Sequence, residues 1–198
     1  MPDRTISLYR SKAHAFDRAR DRSLFERPWL ERFAAGLPAG GRVLDIGCGA
    51  GDPIARWLIG QGLAVTGVDA SEPLLAMAGE RLPTAEWVAA DMRGLDLGRR
   101  FDGLIAWHSL FHLSAADQRA MFVRFAAHAR PAAMLMFTSG PEAGECSGEF
   151  EGEPLYHASL APAEYRSLLA THGFAVVAHS LRDRACGDAT VWLARKEA

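Results

Sequence analysis

Cysteine is scarce: Cys48, Cys146 and Cys186 are an odd number and none pairs as C-x-x-C. This argues against a disulfide framework and against a zinc site. Lysine is scarcer, with two residues (Lys12, Lys196) against 20 arginines, and the formal net charge is only −2. A near-neutral chain lacks the positive field on which nucleic-acid binders depend, so no nucleic-acid partner is expected. No apolar run reaches the roughly 18 residues that cross a bilayer, which predicts no membrane association. The first 20 residues carry charges throughout and resemble no secretory signal, so a cytoplasmic protein is expected. At 198 residues, 49% hydrophobic and 23% charged, the chain suits one domain (1–198) able to bury a core without staples.

Local charge asymmetries survive this balance. Residues 1–35 hold eight Arg/Lys against five Asp/Glu, whereas residues 139–165 hold six Glu and no Arg or Lys. Between them, short apolar runs alternate with helical patterns. Strands are predicted near 42–46, 64–68, 86–90, 102–107 and 133–138, with two more near 174–180 and 189–194. The early runs are nearly continuous rather than alternating, as in parallel strands covered on both faces. Ser71 is placed to cap a helix carrying Leu74, Leu75, Ala78 and Leu82 on one face. Ser114 and Asp117 read as a capping box before Met121, Phe122 and Phe125. Pro162 and Gly173 bracket a third helix with Tyr165, Leu168 and Leu169. Leu24, Phe25, Trp29, Leu30 and Phe33 suggest a helix before the first strand, and Trp57, Trp87 and Trp192 read as core. The fold class is α/β: a doubly wound, mostly parallel sheet with helices on both faces. Only about eight residues join the final two strands, too few for a parallel crossover, so these should be antiparallel neighbours.

The chemistry begins at VLDIGCGAGDP, residues 43–53. A buried strand ends near Asp45, and Gly47, Gly49 and Gly51 then alternate before a helix opens at Asp52-Pro53. Glycine is required where backbone turns sharply and approaches a ligand with no Cβ in the way. Asp69 closes the second strand and can accept hydrogen bonds from both hydroxyls of a ribose. Asp91 follows the third strand and can meet an adenine amino group, with Met92 beside the ring. Three strand ends of one sheet thus describe a nucleoside pocket. The spacing is G-x-G-x-G, not the G-x-G-x-x-G of dinucleotide sites, and Asp52 would repel a pyrophosphate at the helix start. An adenosine cofactor without phosphate, S-adenosylmethionine, fits better than NAD(P).

With these residues the chain resembles a class I (Rossmann-like) S-adenosylmethionine-dependent methyltransferase of the small-molecule type, over roughly residues 25–195. VLDIGCGAG matches the family's first motif; VTGVDAS, AADMRGL and FDGLIAWHSLFHL are similar to later segments. The resemblance implies a seven-stranded sheet with an antiparallel last strand. It also implies that Gly47 and Gly49 approach the methionine part, Asp69 the ribose, Asp91 and Met92 the adenine, and Trp107 the sulfonium, with Asp45, Cys48 and Ala70 as further cofactor-binding residues. YRSKAHAFD is similar to a lid helix of such enzymes, with Tyr9 closing over cofactor or substrate, and residues 1–35 are read as that lid.

The acceptor side is more open. His108 and His112 follow the fourth strand, and either can take a proton from an acceptor hydroxyl or amine; His108 is the candidate general base and His112 a candidate substrate contact. Residues 139–160 lack clear periodicity and are read as a substrate-side loop, with Phe150, Tyr156 and His157 as candidate contacts. No N-P-P-Y-like tetrapeptide of nucleic-acid base methylation occurs, and no carboxylate–histidine metal cluster. The expected partner is a small-molecule methyl acceptor, at O or N, and the assembly a monomer or homodimer. The alternatives are an NAD(P)-dependent oxidoreductase and a non-catalytic SAM-binding regulatory module.

Overall fold

Five strands lie side by side and parallel: β1 (Arg42–Ile46), β2 (Ala64–Asp69), β3 (Glu86–Ala89), β4 (Phe101–Ala106) and β5 (Ala129–Ser139). This is a computed structural model, describing residues 2–198. β6 (Gly144–Phe150) and β7 (Glu153–Ser159) pair with each other alone, as an antiparallel hairpin outside the main sheet. β8 (Phe174–Asp183) and β9 (Ala189–Lys196) complete the sheet, in the order β3-β2-β1-β4-β5-β9-β8. β9 runs antiparallel to both its neighbours, as the short connection required. The strand order reverses between β1 and β4, and the crevice outside that reversal is where α/β sheets hold ligands.

Seven α-helices are described: α1 (Pro2–Ser11), α2 (Ala13–Ala19), α3 (Arg27–Ala35), α4 (Ile54–Gly60), α5 (Glu72–Arg81), α6 (Ala115–His128) and α7 (Pro162–Thr171). The continuous apolar runs are explained by two cores. Successive residues of a strand point to opposite faces: Leu44, Leu104, Leu135 and Phe137 join one core, while Val43, Ile105, Met134 and Met136 join the other. The first core takes Phe122 and Phe125 of α6 and Tyr165 of α7, and buries Trp192 completely. The second takes Trp29, Leu30 and Phe33 of α3, and Leu58 of α4. Trp57 and Trp87 pack against it half-buried.

Four expectations need correction. The 139–160 segment is largely the β6–β7 hairpin, not an irregular loop. Its turn is Glu151-Gly152, with φ of +54° and +80°, a two-residue hairpin turn that uses Glu where Asn or Asp is the usual signal. Residues 1–35, read from the sequence as a lid, include α3, whose Trp29, Leu30 and Phe33 belong to the core. Leu24 and Phe25 precede α3 in a turn, with Leu24 at φ +58°. Ser71 occupies the N-cap of α5 but makes no cap bond; its hydroxyl donates instead to the Tyr9 carbonyl at 3.3 Å. Ser114 does cap α6, accepting from Asp117 N–H at 3.1 Å and donating to its carboxylate at 2.8 Å.

Candidate active site

The glycine loop leaves β1 at the strand-order reversal. Gly47 (φ +75°) and Gly49 (φ +55°) hold left-handed backbone that favours glycine. A Cβ on Gly47 would collide with Ser109, whose hydroxyl donates to the Ile46 carbonyl at 2.7 Å. Gly51 (φ +74°) shares that backbone and also serves packing: a Cβ there would lie 2.7 Å from the Trp87 ring. Asp69, at the end of β2, accepts from Gly49 N–H and Ser71 N–H, each at 2.8 Å. Burial raises its carboxyl above the ordinary range, with those backbone donors pulling the other way. Asp45 is buried more deeply, and desolvation together with the neighbouring Asp69 pushes it up to about 7, against the pull of Arg20. Burial also raises the Cys48 thiol, so it is not a reactive thiolate.

Two cavities flank this loop. The strand-end cavity, about 100 Å³, is walled by Asp69, Ala70, Ala90, Asp91 and Met92. The inner cavity, about 240 Å³, is walled by Asp45, Cys48, Arg20, Trp107 and His157. Gly47, Gly49, Tyr9, Phe16, His108 and His112 border both, so the two halves form one continuous site. Trp107 is buried and its indole N–H has no partner among the described residues, a donor left available to whatever fills the cavity.

His108 sits at φ +50°, an uncommon conformation for a residue with a side chain. Its backbone N–H is held by Thr138 Oγ1 at 2.8 Å, and its ring stacks on Trp107 with centroids 5.2 Å apart. The residue is exposed and lines both cavities. Desolvation, with Arg20 and His157 nearby, pushes its pKa down to about 4.

The roof comes from three parts of the chain. Tyr9 of α1 lies 3.1 Å from His112 Nε2, and His112 Nδ1 lies 3.1 Å from the Tyr156 carbonyl of β7. Phe150, at the hairpin tip, stacks on Tyr9 (6.3 Å) and meets Phe16 edge-on (6.1 Å). His157 lies against His112 (4.9 Å) and Phe111 (5.1 Å). Beyond Phe111 and His157 opens an outer cavity of about 520 Å³, bounded by the hairpin, the end of β5 and Arg182. Phe111 and His157 border both inner and outer cavities and form the partition between them.

The candidate residues therefore converge, with exceptions. Phe150 supports the roof rather than facing a cavity, and Tyr156 contributes its backbone carbonyl while its phenol points elsewhere, because alternation along β7 turns Leu155 and His157 inward. Asp91 borders the strand-end cavity, yet its carboxylate is engaged by Arg93, which donates from Nε at 2.9 Å and from its backbone N–H at 2.9 Å. Sequence reasoning missed Arg20, Phe16 and Leu155. Arg20 follows α2 and is anchored by the fully buried Glu26; nothing local distinguishes it from the other arginines around it. No group of three or more His, Cys, Asp or Glu able to hold a metal occurs among the described residues, and no described helix is long and apolar enough to cross a membrane.

A family profile described as a methyltransferase domain matches residues 43–132. Over 96 residues the chain is 38% identical to the dTDP-3-amino-3,6-dideoxy-alpha-D-glucopyranose N,N-dimethyltransferase of Streptomyces fradiae, covering 48% of this chain and 37% of that enzyme. It is 30% identical over 150 residues to the trans-aconitate 2-methyltransferase of Azoarcus sp. (strain BH72), covering 66% of this chain and 56% of that enzyme. The matches thus span well under two thirds of these relatives' length. The 1,6-didemethyltoxoflavin-N1-methyltransferase of Burkholderia thailandensis, solved with 1,6-didemethyltoxoflavin and S-adenosylhomocysteine, shares the fold. The likeness covers 100% of this chain and 87% of that one, at a TM-score of 0.75 and 24% identity.

Proposed function

We propose that this chain is a class I (Rossmann-like) S-adenosylmethionine-dependent methyltransferase, a reading supported by its likeness to a methyltransferase-domain profile and to known methyltransferases, and that it moves a methyl group from S-adenosylmethionine (SAM) to a nitrogen or oxygen of a small molecule. The carrying observation is the two-part cavity at the strand-order reversal, joined across Gly47, Gly49, Tyr9 and His108. SAM has a matching two-part structure, a nucleoside and an amino-acid chain linked through sulfur. The residues fit it. Asp69 would accept from the ribose hydroxyls through lone pairs its backbone donors leave free. Ala90 to Met92 would border the adenine. In the inner cavity Asp45 would pair with the ammonium of the amino-acid end, which relieves the penalty of its burial. Arg20 would face the carboxylate of that end.

Bound SAM supplies a methyl group already activated by its sulfonium charge. What the protein adds is alignment, and well-aligned reactants can gain about 7–11 kcal/mol. Tyr9, Phe16 and Phe150 close the site toward solvent. The acceptor would enter from the outer cavity and pass its nucleophilic atom across the Phe111–His157 partition. His108, neutral at physiological pH and without a hydrogen-bond partner for its ring among the described residues, would take the proton of a hydroxyl acceptor. Such a base contributes typically about 10²–10⁴-fold. The six glutamates between residues 142 and 164 favour an amine-bearing or cationic acceptor over an anionic one.

Calorimetry with S-adenosylhomocysteine (SAH) and with NADH tests the cofactor half: SAH should bind without added metal, and NADH binding alone would sink the assignment. A methyl-transfer screen over small-molecule amines and alcohols, read by product mass, tests the reaction. Tight SAH binding with no product from any acceptor class would favour a regulatory module.

A further inference from the structure

Behind the Phe111–His157 partition lies a polar side chain that borders none of the three cavities. Gln118, on α6, is fully buried. Its Nε2 donates to the Leu113 carbonyl at 3.0 Å and to the Ala158 carbonyl at 2.9 Å. Carbonyl oxygens can only accept, so both amide hydrogens are assigned and the amide has one orientation. Its Oε1 accepts from the Tyr165 hydroxyl of α7 at 2.5 Å. With that hydrogen committed, Tyr165 Oη accepts from Leu160 N–H at 3.2 Å and from the Ser159 hydroxyl at 3.3 Å. Ser159 Oγ in turn accepts from Gly140 N–H, just past β5, at 2.6 Å. The network is directional and buried, and a satisfied network of this kind fixes one arrangement of the segments it joins.

Leu113 follows His112 in the turn after β4, and Ala158 follows His157 in β7. One amide therefore ties together the two segments that build the partition. The rings these segments carry meet on the cavity side: His112 and His157 lie 4.9 Å apart, and Phe111 and His157 5.1 Å apart. Phe111 and His157 separate the inner cavity from the outer one. Their spacing is thus set from behind, by the reach of a single side chain.

We propose that Gln118 is a positioning residue for the methyl acceptor: by bridging the carbonyls after His112 and His157 it sets the opening between Phe111 and His157, and with it the breadth of acceptor that reaches the methyl group. The inference rests on the acceptor path read above. It goes beyond that path by assigning acceptor selection to a residue that touches neither ligand. An apolar side chain of similar length would leave the two segments unjoined. Each buried carbonyl it abandons is costly, which favours a local shift toward another donor or water. Such a shift displaces the acceptor more than the cofactor, because Asp45, Asp69 and the glycine loop stand on other elements. A displacement of about 1 Å is enough to cost about 10²-fold in rate. Tyr165 acts one step further back, through Gln118 Oε1.

The test compares the wild-type chain with Gln118→Met, Tyr165→Phe and the double variant, each checked for folding by near-ultraviolet dichroism. Histidine side chains are isotopically labelled, and their ring signals are followed by NMR with SAH bound. Gln118→Met should move or split the His112 and His157 signals. The His179 signal should stay fixed, since that ring stacks on Trp192 from the edge strand β8. SAH affinity by calorimetry should change less than about threefold. Butylamine and naphthylmethylamine then serve as narrow and broad acceptors, read by product mass. The kcat for an amine that the wild type methylates should fall about 10- to 100-fold, with the KM for SAM within about twofold. The ratio of the two rates should shift toward the broad amine. Tyr165→Phe should act the same way more weakly, and should add almost nothing in the double variant.

Unmoved His157 signals in a folded Gln118→Met would overturn the proposal, as would equal movement of His179. Effects that simply add in the double variant would do the same, as would an unchanged amine ratio where kcat has fallen. If Gln118→Met does not fold, Tyr165→Phe decides by the same signals. If the wild type methylates neither amine, the ring signals and the double variant decide alone. Failure of the wild-type chain to bind SAH would instead remove the SAM reading, a result distinct from unmoved histidine signals in a chain that binds it.

Discussion

The Asp69 carboxylate accepts the Gly49 backbone N–H at 2.8 Å, so the acid at the end of β2 and the glycine loop after β1 move as one unit. Its other oxygen holds Ser71 N–H at the start of α5, also at 2.8 Å. Asp69 is therefore structural as well as ligand-facing. A hydrogen bond to a charged group contributes about 1.5–3 kcal/mol, so losing even one from the ribose should weaken SAH binding about 10- to 150-fold. Asp69→Ala also strands two backbone donors, and each unsatisfied buried group costs about 1–3 kcal/mol. The expected outcome is weaker binding by calorimetry together with a lower urea midpoint. An unchanged dissociation constant in a folded variant would take Asp69 away from the ribose.

Asp45 gives a pH signature. Its carboxyl is raised from 3.8 to about 7 in the folded chain, so the ligand-free fold loses stability as pH rises from about 4 to 7 and carries the full penalty above that. Asparagine does not titrate. Asp45→Asn should therefore be more stable than wild type at pH 8, by about 4–8 °C for ~2 kcal/mol, and the difference should vanish near pH 4. Binding of SAH should weaken in the same variant, because the ammonium loses its partner. Melting curves at several pH values decide it; a difference independent of pH would show that the raised carboxyl is not Asp45.

For His108 the sign runs the other way. Its pKa is lowered from 6.5 to about 4, so the neutral, proton-accepting form persists well below pH 6. Once an acceptor is identified, a hydroxyl substrate should show an acidic limb in kcat near pH 4–5, not near 6.5. His108→Ala should slow that turnover about 10²-fold or more while leaving SAM binding nearly intact. With an unprotonated amine acceptor the same substitution should change little. A limb at 6.5 that disappears in His108→Ala would show that the ring meets bulk water in the working enzyme.

Phe150 should govern how long the donor stays bound. It touches Tyr9 and Phe16 across the roof rather than facing a cavity. Aromatic pairs contribute about 0.5–1.5 kcal/mol beyond area burial, so Phe150→Ala should speed SAH release about 2- to 12-fold per lost pair, with a smaller effect on association. Stopped-flow displacement measures this directly. An unchanged release rate would mean that the hairpin tip does not close the site.

What the sequence determined by itself was whatever depends on neighbours along the chain. Apolar runs such as VLDI mark strands, because burying both faces of a parallel strand requires apolar residues in succession. Gly47 and Gly49 were legible because left-handed backbone favours glycine. Asp69 and Asp91 were legible as residues closing or following strands, and the short final connection set the antiparallel β8–β9 pair. The tertiary structure alone decided the partners. It put Tyr9 on His112, 103 residues away in the chain, gave the Asp91 carboxylate to Arg93, and chose Arg20 among many arginines by burying Glu26 beside it. The hairpin escaped because most of β6 is exposed and carries no apolar pattern. Local sequence encodes which conformations a segment tolerates, but contacts between distant segments depend on how sheet and helices bring them within a few ångströms, and no single stretch of sequence carries that distance.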